Sequence, residues 1–465
     1  MSKTKINRRV FLKTAAAAAG AAAGAAARGA AFPLIVPASV FGPNPPSRRI
    51  QVGAIGVGRI SREHDLPNII KFDAARVVAV CDLDRTRLKQ GKDFVEKLYA
   101  DKPGKPAVPD VRMFEDYREL ITRPDIDAVV ISTPDHWHAL PAVAAARAGK
   151  DIYLQKPTSL TIVEGRALSD TVHRTGRILQ IGSQQRSMAQ FRRACELIRN
   201  GRIGKLHTIR IGLPIDPPGE AEPEMPVPPN LNYDMWLGST PKVFYTEKRV
   251  HPQNDFSRPG WLRCEQFGAG MITGWGVHHI DIAHWAMDLE YSGPVEIEAL
   301  AEFPKSGLWD VHGKYFITAR YANGVTMLIS DEFPNGVRFE GTEGWIFVTR
   351  GDYAATASDP VVQGANRKSL DASDPKLLAS EIKPEEIHLY DSPDQHGNWL
   401  ECVRTRRQPI APVEVGHRTC SACLVSHIAM KLGRKLKWDP SRERFIGDDA
   451  ANGMLSRPMR APWIL

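Results

Sequence analysis

Ile50-Gln51-Val52-Gly53-Ala54-Ile55-Gly56-Val57-Gly58-Arg59-Ile60-Ser61 is a short apolar run that passes directly into closely spaced glycines. It reads as a buried strand turning into a helix. Gly56 allows the tight turn, Gly58 lets the backbone approach a pyrophosphate, and the helix that follows offers free N–H groups and its positive end to that anion. The third small position is Ser61. The next apolar run, 76–81, ends at Cys81-Asp82, where a carboxylate can accept hydrogen bonds from a ribose 2′-OH and would repel a 2′-phosphate. Gly56, Gly58, Arg59, Ile60 and Asp82 therefore read as contacts to NAD in preference to NADP.

Working outward, apolar runs recur at 128–133, 152–154 and 178–182, with helical patterns at 83–99 and 159–175 between them. Short, nearly continuous Val/Ile/Ala runs suit strands buried on both faces, and helical crossovers force neighbouring strands parallel. The expectation is an α/β chain whose N-terminal part, 48–187, is a doubly wound parallel sheet of the Rossmann type. After a helical pattern at 188–200, longer alternating segments at 205–213, 295–303, 313–321 and 325–332 read as antiparallel strands. They predict a C-terminal α+β domain, 188–465, with an open, mostly antiparallel sheet that serves substrate binding and oligomerisation. Residues 214–229, with seven prolines, read as a surface loop, and 351–395 as irregular. A last helix is expected near 418–434, followed by an arm.

The 465 residues are 43% hydrophobic and 25% charged, which excludes disordered and fibrous classes. Net charge is +8, but residues 1–31 carry six Lys and Arg and no acid, which leaves +2 for the remainder and argues against nucleic-acid binding. Asn7-Arg8-Arg9-Val10-Phe11-Leu12-Lys13, followed by Ala and Gly alone from 15 to 27, resembles a twin-arginine export signal. The expected layout is a signal at 1–31 and a linker at 32–47, with the twin-arginine export machinery as partner and the periplasm as destination. No other stretch approaches the length of an apolar membrane span. Six cysteines are too few for a disulfide scaffold, and Cys420-x-x-Cys423, a single pair inside a helical pattern, reads as packing.

Ser132-Thr133-Pro134-Asp135-His136-Trp137-His138 falls at the C-terminal end of a predicted strand, the edge where such sheets bind ligands. Thr133, Pro134, His136 and His138 are candidate cofactor contacts. Gln155-Lys156-Pro157 ends the following strand in the same way. A lysine near a hydride-transfer site can relay the proton of a substrate hydroxyl, so Lys156 is a catalytic candidate.

With these motifs the chain, from 48 to 465, resembles the Gfo/Idh/MocA oxidoreductases, the family of glucose-fructose oxidoreductase and inositol dehydrogenase. The resemblance implies NAD(P)-linked chemistry on sugars or cyclitols, with a dimer or tetramer as the assembly. The family's Glu-Lys-Pro appears here as Gln155-Lys156-Pro157, so the lysine carries over and the glutamate does not. Its second element, an Asp four residues before a His, falls on 268–281: His278 matches the catalytic histidine, and Gly274 stands at the Asp position. Gln155 and Gln185 are implied cofactor contacts. Arg186, Tyr233, Trp236, Arg263, Trp275, His279 and Asp281 are implied substrate contacts, since aromatic faces and polar donors suit a carbohydrate. A metal role for His279, Asp281 and His284 is not expected, because hydride transfer needs none and a buried helix often carries satisfied histidines.

An exported dehydrogenase has to regenerate its cofactor in place. The leading expectation is an oxidoreductase that holds NAD tightly and acts on a sugar, glycoside or cyclitol hydroxyl. The alternatives are a redox-neutral NAD-dependent glycoside hydrolase, lyase or epimerase, and a non-catalytic dinucleotide-holding sensor.

Overall fold

The computed structural model describes residues 48–102, 110–351 and 368–465. The leader expected at 1–31 and the linker at 32–47 lie outside the described residues. Six strands, β1 (Ile50–Ile55), β2 (Ala75–Cys81), β3 (Arg112–Phe114), β4 (Ala128–Ile131), β5 (Asp151–Leu154) and β6 (Leu179–Ile181), form a parallel sheet in the order β3-β2-β1-β4-β5-β6. Every residue of β4 and β5 is buried, as crossover helices on both faces require. Two of those helices start on side-chain caps. Asp84 accepts from the backbone N–H of Thr86 and Arg87 to open Arg85–Asp101, and Thr161 accepts from Glu164 to open Ile162–Thr175. Strand order reverses between β1 and β4, which opens a crevice at their C-terminal ends.

The second sheet has nine strands in the order β13-β12-β11-β7-β10-β9-β8-β14-β15. They are β7 (Leu206–Gly212), β8 (Glu296–Ala301), β9 (Tyr315–Arg320), β10 (Thr326–Ser330), β11 (Gly336–Gly341), β12 (Gly344–Val348), β13 (Leu370–Ala372), β14 (Leu436–Asp439) and β15 (Arg444–Phe445). Alternation works as the sequence suggests: Ile297, Ala299, Ile317 and Ala319 face helices, while Leu300 and Phe316 stay exposed on the open side. One expectation changes. The segment read at 205–213 as antiparallel is β7, which runs antiparallel to β11 but parallel to β10. Periodicity reports which face a residue takes, not the direction of a neighbour more than a hundred residues away.

The stretch expected to be irregular, 351–395, contains β13 and a short helix, Pro375–Ala379, among its described residues. The helix after it, Gln395–Thr405, was not anticipated and packs on the first domain, where Trp399 joins the core of β1, β2 and β4. All six cysteines are buried and free. Among the described residues no helix is long and apolar enough to cross a membrane.

Candidate functional site

A cleft with an empty volume of about 1450 Å³, its open mouth included, follows the crevice between the C-terminal ends of β1 and β4 and continues under the second domain. At one end stands the glycine turn. Gly56 has φ of +82°, and a Cβ there would lie 2.8 Å from Ser132 O, so only glycine fits. A Cβ on Gly58 would meet nothing nearer than Arg87 Nη1 at 3.6 Å, which leaves its backbone open to an approaching group. Asp82 lines the same end, its Oδ2 accepting from Val57 N–H (3.0 Å) and its Oδ1 from Asp84 N–H (3.0 Å). Ser61 is fully buried, which explains why the third motif position must be small. This arrangement, an open turn, a strand-end carboxylate and the N-terminus of the helix that follows, fits a dinucleotide.

A strap from the second domain closes the outer wall of this end. Leu231 forms an antiparallel bridge with Asp84, and Arg85 N–H donates to Asn230 O (2.9 Å). The Asp84 carboxylate also holds His251 Nε2 (3.1 Å) and Asn230 Nδ2 (2.8 Å). Arg87 Nη2 donates to Pro252 O (2.6 Å) and Asp255 O (3.0 Å), while the Phe256 ring lies under both Arg62 (4.4 Å) and Arg87 (4.8 Å).

At the other end Thr133, Pro134, His138, Gln155, Lys156, Trp236, Trp275 and His278 all line the cleft. Lys156 Nζ donates to Gly274 O (3.0 Å), so at the position where the resemblance leads one to look for an Asp side chain, a main-chain oxygen holds the lysine. A Cβ on Gly274 would meet only Met271 Sδ at 3.6 Å, so a side chain there has room. His278 is buried, and its Nδ1 has no hydrogen-bond partner among the described residues. Burial first, then the Arg350 and Lys156 charges, push its pKa well below the ordinary value, so the ring is neutral at pH 7. An unpaired buried nitrogen costs free energy unless a ligand satisfies it, which fits a hydroxyl-bearing guest. His138 spans Pro157 O (2.5 Å) and Thr133 O (2.9 Å); burial brings its pKa to about 4, so the neutral ring donates to one carbonyl only and braces the turn.

Other expected contacts lie away from the cleft lining. His136 is packed against Trp236 and Phe267 and engages Trp236 O (2.8 Å), beside the Trp137 indole that donates to the same oxygen. Gln185, in the amide orientation that satisfies both of its atoms, donates to His278 O (2.9 Å) and accepts from Arg350 Nε (3.2 Å), so it supports the histidine's backbone. Arg186 forms a two-point pair with Asp281 (2.6 and 2.9 Å), binds Glu290 (2.7 Å) and lies over Trp285. These two residues satisfy each other inside the protein, 2% and 1% exposed. His279 engages Asn335 (2.6 Å), and His284 engages Tyr321 OH (2.8 Å). Tyr233 stacks beside Trp236 and donates to Phe244 O (3.1 Å), while Arg263 pairs with Asp216 (3.0 Å) and covers Trp309.

Among the lining residues that had no role in the sequence reading, Arg350 and Asp135 stand out for their charge. Arg350 enters from the end of β12, its guanidinium over the Trp275 ring at 4.6 Å. Asp135 is buried in the cleft wall beside Lys156; burial pushes its pKa up to about 7, against the pull of the Lys156 charge. Asp135 stood in the motif already quoted, and the signal that could have found it is a carboxylate at a strand end facing the crevice, one strand away from Lys156.

The fold and this cleft define a two-domain dinucleotide-binding protein with polar side chains gathered at one end of the binding crevice. The chain belongs to the Gfo/Idh/MocA oxidoreductase family: the description "Oxidoreductase family, NAD-binding Rossmann fold" matches residues 50–183, and "Oxidoreductase family, C-terminal alpha/beta domain" matches 219–465. The myo-inositol 2-dehydrogenase of Thermotoga maritima is 30% identical over 184 residues, which cover 40% of this chain and 48% of the relative. A glycosyl hydrolase family 109 protein of Shewanella pealeana is 28% identical over 208 residues, 43% of this chain and 44% of the relative. The chain thus spans about half the length of the curated relatives it matches. Among solved structures, aldose-aldose oxidoreductase from Caulobacter crescentus superposes with a TM-score of 0.57 at 20% identity, covering 84% of this chain and 100% of that one. The WlbA dehydrogenase from Bordetella pertussis does so with 0.57 at 17%, covering 84% and 99%. These structural likenesses establish the fold.

Proposed function

We propose that this chain is an NAD-dependent oxidoreductase that acts on a CH–OH group of a sugar, glycoside or cyclitol and keeps its cofactor bound. The observation that carries the reading is the convergence of Lys156, Asp135 and His278 at one end of a cleft whose other end fits a dinucleotide. When bound, the nicotinamide accepts and returns a hydride. The chain's own residues handle the proton. Lys156 Nζ, which donates to Gly274 O, faces the cleft where a substrate hydroxyl would lie, and Asp135 beside it, its pKa raised by burial, takes or gives the proton. Neutral His278 offers a hydrogen-bonding nitrogen to the same hydroxyl. Trp137, Trp236 and Trp261 line the cleft and suit the C–H faces of a pyranose or cyclitol ring. The strap over the glycine turn supports a resident cofactor, as does the twin-arginine pattern at 7–27, which we take to direct the folded, loaded chain to the periplasm. We also propose that a second copy covers the open sheet face where Leu300 and Phe316 are exposed.

The test is to purify the chain without added nucleotide, denature it and identify what is released, then to offer glycosides and cyclitols and follow a 340 nm signal within a single turnover. Near-stoichiometric NAD with sugar-dependent reduction supports the reading. No release and no binding of added NAD at micromolar concentration overturns it.

Two expectations attach to cleft carboxylates. Asp82→Ala removes the charge that disfavours a 2′-phosphate, so the preference for NAD over NADP, measured as a ratio of Kd values, falls about tenfold. Asp135 binds its proton more tightly folded than unfolded. Its contribution to stability is therefore full below the ordinary carboxylate pKa and is lost as pH rises toward about 7. The Tm advantage of Asp135→Asn over the parent should grow between pH 5 and pH 8, by about 2 °C, while its turnover falls.

A further inference from the structure

One buried carboxylate is absent from the mechanism above. Asp65, wholly buried after the glycine turn, lies one hydrogen bond behind the cleft wall. Its Oδ2 accepts from Ser132 Oγ (2.7 Å) at the end of β4, and its Oδ1 from Gln155 Nε2 (2.8 Å) at the end of β5. The same Oδ1 faces His396 Nε2 (3.1 Å), brought in by the unanticipated helix Gln395–Thr405, and His64 Nδ1 (3.3 Å). The His396 ring stacks on Tyr153, at 4.4 Å between centroids and 23° between planes, which fixes its orientation. Burial alone would favour the protonated acid, but the His396 and His64 hydrogen bonds outweigh it and hold the carboxyl well below the usual range. Asp65 is therefore an anion, and each of its oxygens is engaged.

We propose that Asp65 supplies the negative charge absent at position 155, and that it acts through Gln155 as a positioning residue that biases the cleft toward the oxidised form of the cofactor. This rests on the reading that the cleft holds a nicotinamide dinucleotide. Gln155 is a neutral amide on the cleft wall next to Lys156, and its orientation is set because Nε2 must donate to Asp65. A buried charge is screened far less than one in water, so an anion one residue behind the wall is felt in the cleft. Oxidised nicotinamide carries a positive ring charge that is lost on reduction, so a fixed anion nearby favours the oxidised form. A metal ion bridging His64, Asp65 and His396 is the competing arrangement, since their ligand atoms lie within 4.8 Å of one another. The hydrogen bond from Gln155 to the same oxygen speaks for the metal-free cluster.

The test compares Kd for NAD and for NADH, after removal of bound nucleotide, in the parent, in Asp65→Asn and in the double variant Asp65→Asn/Gln155→Glu. In Asp65→Asn the preference should move toward NADH by about tenfold. The double variant, in which donor and acceptor exchange ends and the charge moves to position 155, should restore the parent ratio within about twofold. Thermal melts report folding separately; if Asp65→Asn does not fold, the double variant decides alone. A parent ratio in Asp65→Asn, no recovery in the double variant, or a stoichiometric divalent metal in the parent protein released by substituting His396 would overturn the proposal. A parent that binds neither nucleotide would instead overturn the functional reading on which it rests.

Discussion

Lys156→Ala should lower kcat by about 10²–10⁴-fold while the amount of dinucleotide released per chain stays at the parent level. The lysine Nζ donates to Gly274 O at the end of the cleft away from the glycine turn, so on the proposed function its loss removes proton handling without opening the dinucleotide end. Lys156→Arg should not restore turnover, because a guanidinium keeps the charge but gives up no proton at working pH. Single-turnover absorbance with a responsive glycoside separates the outcomes. Parent-level turnover in Lys156→Ala would overturn the catalytic assignment, and loss of the nucleotide as well would make Lys156 a cofactor-binding residue instead.

The other large effect is on stability. Arg186 was expected from the sequence to touch substrate, yet it is 2% exposed and committed to Asp281 and Glu290. Arg186→Ala leaves those carboxylates inside the protein without a counter-charge, which costs about 3–5 kcal/mol. Scaled by the unfolding entropy of a chain this long, Tm should fall by about 4 °C. Arg186→Met/Asp281→Leu should recover part of the loss, because the stranded charge leaves with its partner. A substrate-binding arginine would behave differently, raising KM with Tm unchanged. Melts and Michaelis curves on the same preparations decide between the two.

The contrast between these residues shows what the sequence could and could not convey. The placement of Gly56, Gly58, Asp82 and Lys156 along the cleft was legible because it depends on local geometry: a turn, a strand end and the helix that follows. The parallel sheet was legible because strands buried on both faces leave unbroken apolar runs. Arg186 and Asp281 sit 95 residues apart, and nothing in either segment announces that they face each other; singly, each resembles a polar group awaiting a ligand. Asp65 and His396, 331 residues apart, were missed for the same reason, and so was the helix that carries His396. Strands β11 and β12 carried a usable signal, with Val337, Phe339, Ile346 and Val348 inward, but glycines at 336, 341 and 344 break it into pieces that read as turns.

The strap that joins Asn230, Leu231, His251, Pro252 and Asp255 to the first domain has a consequence for physiology. On the function proposed above, a nucleotide on the glycine turn would lie against a wall to which the strap contributes His251, so a shift of the second domain would alter its exchange with the surroundings. An enzyme of the kind proposed, with its nucleotide retained through the cycle, would answer to the supply of the alcohol and of the electron acceptor more than to the ratio of oxidised to reduced nucleotide around it.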